Sequence, residues 1–334
     1  MISRIMLLFP ILLSSISAEG SWTDLGDVSI PGTPLRINST DSSYTIDFIP
    51  YLWESGPVST LEIDVLTGRI SISEECAEPP VQILFFPMPI RDIDHLQMTI
   101  PEGVVRVTPA GDTLWTCIVD TVAGYEGIPQ RIQPSENGGC WALFGPEPGS
   151  DIWDVIRISS GGDLLSRAEF RLQGGPVISM HSLEETLAGG LVMTGVTDSL
   201  GMNLYMVVMK LDQDGREVWR VLESFRFHAG GNLIEIDLEG SIVIAGYTGS
   251  EREDGYFMPL SDTDIFLLKL DSTGIEVWRS DFQYPEQNSP VLMMLLDDGG
   301  VLVLMAVYDE ADSYPRDYHL VRYDHDLRPG LIPS

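Results

Sequence analysis

Two stretches of the sequence concentrate groups able to hold a cation or a polar ligand: YTGSEREDGYFMPLSDTD (247–264) and YDEADSYPRDY (308–318). Glu251, Glu253, Asp254, Asp309 and Asp312 supply carboxylate oxygens close in sequence to the rings of Tyr256, Phe257 and Tyr314. Oxygen-rich loops with aromatic platforms suit Ca²⁺, a cationic peptide or a sugar. Asp262 and Asp264 are the candidate metal ligands, with calcium as the cation expected. Calcium loops carry a regular D-x-D-x-D-G spacing, and neither stretch has it. Asp212-Gln213-Asp214-Gly215 comes nearest, and a tight turn accounts for it more simply. Acidic loops are also what solvation alone produces, so ligand site and solvated loop both stand as readings.

Other chemistry is hard to find in the chain. It has no G-x-S-x-G elbow, no GxxxxGK[ST] loop and no dinucleotide fingerprint, so no catalytic residue is named. The five histidines (His95, His181, His228, His319, His325) form no HxH or HExxH pair. Cys76, Cys117 and Cys140 allow at most one disulfide and show no zinc spacing. With 50 acidic residues, close carboxylate pairs of the kind that cleave glycosidic bonds are inevitable and carry no signal. Asn38-Ser39-Thr40 is a glycosylation sequon only in a host that glycosylates.

Composition narrows the class. The formal net charge of −31 repels nucleic acid and anionic membranes, both of which are bound through Lys/Arg clusters. It suits an exported protein or a partner for cations. Residues 1–18, MISRIMLLFPILLSSISA, pair one arginine with a short apolar run and small residues, the layout of a secretory signal peptide. A membrane anchor is the competing reading of that segment, but the apolar run is too short to span a bilayer. Residues 19–334 are expected to form a single domain that is secreted, periplasmic or on the cell surface, with no membrane insertion.

The elements that must position the acidic loops follow from an internal repeat. KLDQDGREVW (210–219) returns as KLDSTGIEVW (269–278), with counterparts at RVTPAGDTLW (106–115), RISSGGDLLS (157–166), RYDHDLRPGL (322–331) and, more weakly, EIDVLTGRIS (62–71). A glycine-led apolar run precedes most of these, as in AGGLVMTG (188–195) and EGSIVIAG (239–246), and a third apolar run precedes that, as in PVISM (176–180). In DIFLLKLD, Phe266, Leu268 and Leu270 alternate with Leu267 and Lys269, the period of a strand. Asp271 and Gly274 take the first and fourth places of a type I turn. HSLEETLAG (181–189), the one modest helix candidate, is read as a loop. Each unit of about fifty residues thus supplies four antiparallel strands and recurs six times.

One such sheet cannot bury both faces. Packing six around an axis does so, which predicts an all-β fold, a β-propeller of six four-stranded blades. An open β-solenoid is the rival arrangement. SWTDLGDVSI (21–30) is placed to pair with the last blade and latch the ring, and Ile178, Ile234 and Leu292 are expected to face the channel. In an up-and-down blade the KLDxxG turns share one face. The long loops after the glycine-led strands share the other, which places the two acidic stretches on one rim.

The pattern D-G-G-x-x-x-x-G-x-T followed by K-L-D-x-x-G-x-x-x-W resembles the repeats of secreted bacterial β-propeller proteins, the quinoprotein-type and seven-bladed-propeller repeat groups. The units ending at Trp219 and Trp278 match best. The resemblance implies fold and export rather than activity. The expectation is therefore an exported, non-enzymatic propeller that binds a protein, peptide or carbohydrate. Two alternatives stand beside it: a propeller enzyme, either a quinoprotein-like oxidoreductase or a polysaccharide-cleaving enzyme, and a calcium-stabilised surface or adhesion component.

Overall fold

The computed structural model describes residues 22–28, 33–39, 43–49, 59–64, 70–74, 95–99, 103–107, 112–118, 128–135, 137–146, 151–171, 177–198, 204–223, 228–249, 263–282, 287–308 and 315–323. Residues 1–18, assigned above to a signal peptide, lie outside them. The described residues form 23 strands in six antiparallel sheets and contain no helix. No helix among them is long and apolar enough to cross a membrane.

Strand β1 (Trp22–Val28) stands apart from its sequence neighbours. Sheet 1 is β2 (Thr33–Ser39), β3 (Ser43–Ile49), β4 (Ser59–Asp64) and β5 (Ile70–Glu74). Sheet 2 has three described strands, β6 (His95–Thr99), β7 (Gly103–Val107) and β8 (Thr113–Ile118). Sheet 3 comprises β9 (Ile128–Pro134), β10 (Cys140–Gly145), β11 (Ile152–Ile158) and β12 (Leu164–Arg171). Sheet 4 comprises β13 (Val177–Glu185), β14 (Leu191–Asp198), β15 (Leu204–Leu211) and β16 (Glu217–Glu223). Sheet 5 is β17 (His228–Ile236), β18 (Ile242–Gly249), β19 (Thr263–Leu270) and β20 (Glu276–Phe282). Sheet 6 is β21 (Gln287–Leu295), β22 (Val301–Tyr308) and β23 (Pro315–Tyr323), completed by β1, which pairs antiparallel with β23. Strand β1 is thus the fourth strand of sheet 6, the pairing expected of residues 21–30.

From sheet 2 round to sheet 1 by way of sheets 3 to 6, each sheet meets the next through an apolar layer. Trp141, Trp153 and Leu143 of sheet 3 pack on Met180, Met193 and Leu211 of sheet 4. Val192 and Met206 turn the other way, onto Ile234, Ile244 and Phe266 of sheet 5. Leu267 faces Met293 and Val303 of sheet 6, whose Leu292 and Leu304 face Ile37 and Ile46 of sheet 1. The inner strands touch in turn, β2 with β21, β21 with β17, β17 with β13, β13 with β9 and β9 with β6, and β2, β9, β13, β17 and β21 line a shared channel. This is a β-propeller. Because both faces of each second strand are covered, β10 and β22 are buried along almost their whole length and read as unbroken apolar runs rather than alternating ones. Each fully buried Leu, Ile or Phe stabilises the stack by about 1.5–3 kcal/mol.

The repeated turns are hairpins of one kind. Gly215 N–H donates to the carbonyl of Asp212 (2.9 Å) and Asp212 N–H to that of Arg216 (2.8 Å). The Asp212 carboxylate accepts from the backbone N–H of Asp214 and Arg216, each at 2.9 Å. Gly215 and Gly274 have φ near +82° and +87°, the left-handed region glycine tolerates. These turns, together with those between first and second strands, lie at one end of the sheets, and the connections between second and third strands lie at the other.

One expectation is corrected, and another is met in the residues that can be compared. Residues 181–185, expected as loop, continue strand β13, because Leu183 packs between sheets 3 and 4 and fixes the backbone extended. The apolar positions lining the channel are Leu183, Ile234 and Leu292. The side chain of Ile178 lies outside the described residues.

Candidate functional site

The inner strands of five sheets break their ladder at a corresponding place, and β13 breaks a second time at Ile178. Leu35, Gln130, His181, Asn232 and Val291 are each an extra residue opposite the regular second strand. A bulge of this kind re-aims side chains and bends the strand. In sheets 4 and 5 a glycine on the second strand makes room for it. A Cβ on Gly195 would lie 2.1 Å from the Ser179 carbonyl oxygen, and one on Gly246 would lie 2.3 Å from that of Gly230. Both are the closing glycines of AGGLVMTG and EGSIVIAG, so the repeat records the bulge.

The bulges carry a polar belt from sheet to sheet. Arg131, on β9, donates from Nε to the carbonyl of His181 (3.0 Å) and from Nη1 to that of Gln130 (3.1 Å). His181 Nδ1 faces the carbonyl oxygen of Gly231 (3.0 Å) and Oδ1 of Asn232 (3.1 Å). Asn232 Nδ2 donates onward to Ser289 Oγ (2.9 Å) and more weakly to the carbonyl of Pro290 (3.4 Å). Both partners of Nδ1 are acceptors, which assigns the proton to Nδ1 and leaves Nε2 the unprotonated nitrogen. Burial, reinforced by the Arg131 charge, pushes the His181 pKa down, so the ring is neutral near pH 7. Burial also lowers that of Arg131.

Towards the turn end the channel narrows to a cavity of about 80 Å³ whose wall includes Ile37, Leu183, Ile234 and Leu292 beside Glu184 and Glu235. Gln133 Nε2 donates to the Glu184 carboxylate at 3.0 Å. A quinone cofactor fills a cleft of several hundred Å³, so this cavity does not fit one.

The residues proposed from sequence divide sharply. Glu251, Glu253, Asp254, Tyr256, Phe257, Asp262, Asp309, Asp312 and Tyr314 lie outside the described residues. Asp264 is described: it is half-buried on β19, opposite Thr248. The roots of both acidic stretches are fixed, however. Gly249 pairs with Thr263 on sheet 5, and Tyr308 pairs with Pro315 on sheet 6, at the same end of adjacent sheets. Tyr247, Tyr308 and Tyr318 sit near these roots. Burial pushes the phenols of Tyr247 and Tyr318 up to about 12, with Tyr308 adding to the latter, so all three keep their protons.

Other candidates recede. Cys117 and Cys140 are free and buried between sheets 2 and 3; burial raises both thiols, Cys140 to about 12, the reverse of a reactive thiolate. Cys76 and His325 lie outside the described residues, and so do the side chains of His95 and His228. His319 is buried on β23. Among the described residues no three His, Cys, Asp or Glu side chains are grouped to hold a metal ion. The belt itself escaped the sequence reading. Its signal was the even spacing of Gln130, His181 and Asn232, each polar at the same place in its unit.

No protein-family model and no curated protein matches the sequence. Among solved structures the chain is similar to a putative gluconolactonase, at 11% identity over 94% of this chain and 96% of that one, with a TM-score of 0.40. It is similar to the β-propeller domain of the trilobed protease from Pyrococcus furiosus at 7% identity, over 90% of this chain and 84% of that one, with a TM-score of 0.40. A quinohemoprotein alcohol dehydrogenase from Pseudomonas putida aligns at 13% identity over 66% of this chain but only 39% of the enzyme, with a TM-score of 0.40. The likenesses are of fold; the propeller itself rests on the chain's own sheets and the channel they share.

Proposed function

We propose that the chain is an exported binding module whose ligand contacts come from the loop end of sheets 5 and 6. The observation that carries this is the rooting of segments 250–262 and 309–314 at the same end of neighbouring sheets. Glu251, Glu253, Asp254, Tyr256, Phe257, Asp309, Asp312 and Tyr314 then supply acids and rings to a cationic peptide or a sugar, with Asp262 and Asp264 as the proposed Ca²⁺ ligands. Binding is favoured over catalysis by the state of the belt. Arg131, His181 and Asn232 each bond to a neighbouring sheet, which fixes them as struts. Export is proposed from the sequence of residues 1–18.

The test is a screen of the mature chain, residues 19–334, against immobilised glycans and basic peptides, in Ca²⁺ and in EDTA. Hits are repeated with Glu251→Gln, Asp254→Asn, Asp309→Asn and Asp312→Asn combined. Loss of binding in that variant supports the site, and loss in EDTA adds calcium to it. Absence of any hit, or retention of every hit by the variant, overturns it. Conversion of a hit into products would place the chain among propeller enzymes instead.

A further inference from the structure

The turn between β9 and β10, SENGG (135–139), holds the only Asn-Gly pair in the sequence. Asn137 is exposed. Its Oδ1 accepts from the backbone N–H of Gly139 at 3.0 Å, so the side chain arches over the Gly138 peptide and carries Cγ towards the Gly138 nitrogen. Gly138 has no side chain to obstruct that approach. Arg106 of β7, one sheet back, donates from Nη1 to the Gly138 carbonyl, and a Cβ on Gly138 would lie 3.2 Å from the same Nη1. A guanidinium therefore stands beside a backbone nitrogen that faces an amide carbon.

We infer that Asn137 is a deamidation site, and that Arg106 makes it one in the folded chain. The Gly138 nitrogen attacks Cγ of Asn137, forming the new N–Cγ bond of a succinimide ring. The Cγ–Nδ2 bond breaks, and the proton of the Gly138 amide leaves with Nδ2 as ammonia. Water then opens the ring at either carbonyl, which gives aspartate or, with an extra carbon in the backbone, isoaspartate. The cation favours the first step twice, because the deprotonated nitrogen and the tetrahedral oxygen both carry negative charge. A charge at a separation of about 4 Å in water changes such a rate by about fivefold. Against it, Gly138 N–H donates to Ser135 O at 2.9 Å, and opening that bond slows the reaction by about tenfold. The two effects nearly cancel.

The fold already accommodates the aspartate product. LDDGG (296–300) makes the corresponding turn of sheet 6, with Asp298 where sheet 3 has Asn137. Asp298 Oδ1 accepts from Gly300 N–H at 2.9 Å, the bond that Asn137 makes to Gly139, and Oδ2 pairs with Arg322. Aspartate at 137 keeps its turn in the same way and adds a negative charge to the segment that Arg106 grips between sheets 2 and 3.

The test keeps the full mature chain in mildly alkaline buffer, folded and in urea, while peptide mass spectrometry follows the gain of about 1 Da at Asn137. Isomerisation of Asp-Gly pairs such as Asp214-Gly215 leaves the mass unchanged and is not counted. The folded parent is expected to convert at a rate within about tenfold of the unfolded one. Folded Arg106→Gln should convert about fivefold more slowly than the parent, and Arg106→Lys at nearly the parent rate, with all three alike in urea. Should Arg106→Gln not fold, added salt replaces it: screening the guanidinium should slow the folded parent and leave the unfolded chain unchanged. A folded parent slower than the tenfold limit overturns the inference, because the turn is then a shield. Folded rates indifferent to Arg106→Gln, or to salt where that variant does not fold, overturn it as well. Asn137→Asp should match or exceed the parent's urea midpoint, and a lower midpoint would show that the turn rejects the product.

Discussion

The indole N–H of Trp219 donates to the backbone carbonyl of Ser272, one sheet further round, at 3.1 Å. Lys210 Nζ reaches the same oxygen at 2.9 Å, and a Cβ on Gly274 would lie 3.0 Å from the Trp219 ring. Lysine, turn glycine and tryptophan, which the two best-matched units share, form one clasp between sheets 4 and 5. Trp219→Phe keeps the ring and loses the donor, for an expected cost of about 1 kcal/mol. Trp219→Ala also loses the packing of a half-buried ring and should cost about 2–3 kcal/mol. Urea midpoints measure both, and a Trp219→Phe variant as stable as the parent would deny the hydrogen bond a part.

That clasp explains why so much of the fold was legible. A residue that contacts the next unit must be repeated if each unit is to meet its neighbour in the same way. KLDxxG and its tryptophan therefore announced strands, turns and ring together. The latch at Trp22–Val28 was expected from residues 21–30 and pairs with β23. The belt was not legible, because a bulge inserts one residue and shifts the alternation that period-two reading depends on. His181 consequently fell into a supposed loop. The exposure of Ile275 and Val277 was hidden for a different reason: alternation separates two faces but does not say which one is covered.

Asp154 departs from the repeat. It is fully buried at the place where sheets 4 and 5 put Val207 and Phe266, and it pairs with Arg167, whose Nε donates at 2.6 Å. Burial raises its pKa, and Arg167 works against that rise. Arg167→Met strands a buried carboxyl and should cost about 3–5 kcal/mol, whereas Asp154→Val with Arg167→Met should restore stability to within about 1 kcal/mol of the parent. Denaturant titration of the two variants decides the point. A double variant as unstable as the single one would show that the pair itself holds sheet 3 together.

Gly246 should tolerate no side chain. A Cβ there meets the Gly230 carbonyl oxygen at 2.3 Å and the Phe266 ring at 2.4 Å. Gly246→Ala is expected to cost about 1–3 kcal/mol through overpacking. Shortening the ring with Phe266→Leu should not rescue it, since the backbone oxygen at the bulge remains. Rescue in the double variant, seen as a restored thermal midpoint, would place the constraint in the core and not in the bulge.

His181 should make the propeller acid-sensitive in a window of its own. Its folded-state pKa is lowered, by burial first and by Arg131 second, while in the unfolded chain it takes the ordinary value of about 6.5. Between those values the unfolded chain binds more protons, so stability rises with pH. The contribution is therefore fully present above about pH 6.5 and is lost as pH falls towards the lowered folded-state value. From pH 7.5 to 5.5 the parent should lose about 1 kcal/mol that His181→Gln does not, read as the difference between their urea midpoints at each pH. Carboxylates titrate mainly below this range, and the other four histidines are common to both proteins, so the difference isolates the ring. Parallel curves would mean that the imidazole takes up its proton in place, and the strut from Gly231 to sheet 4 would then have to tolerate a charged ring beside Arg131.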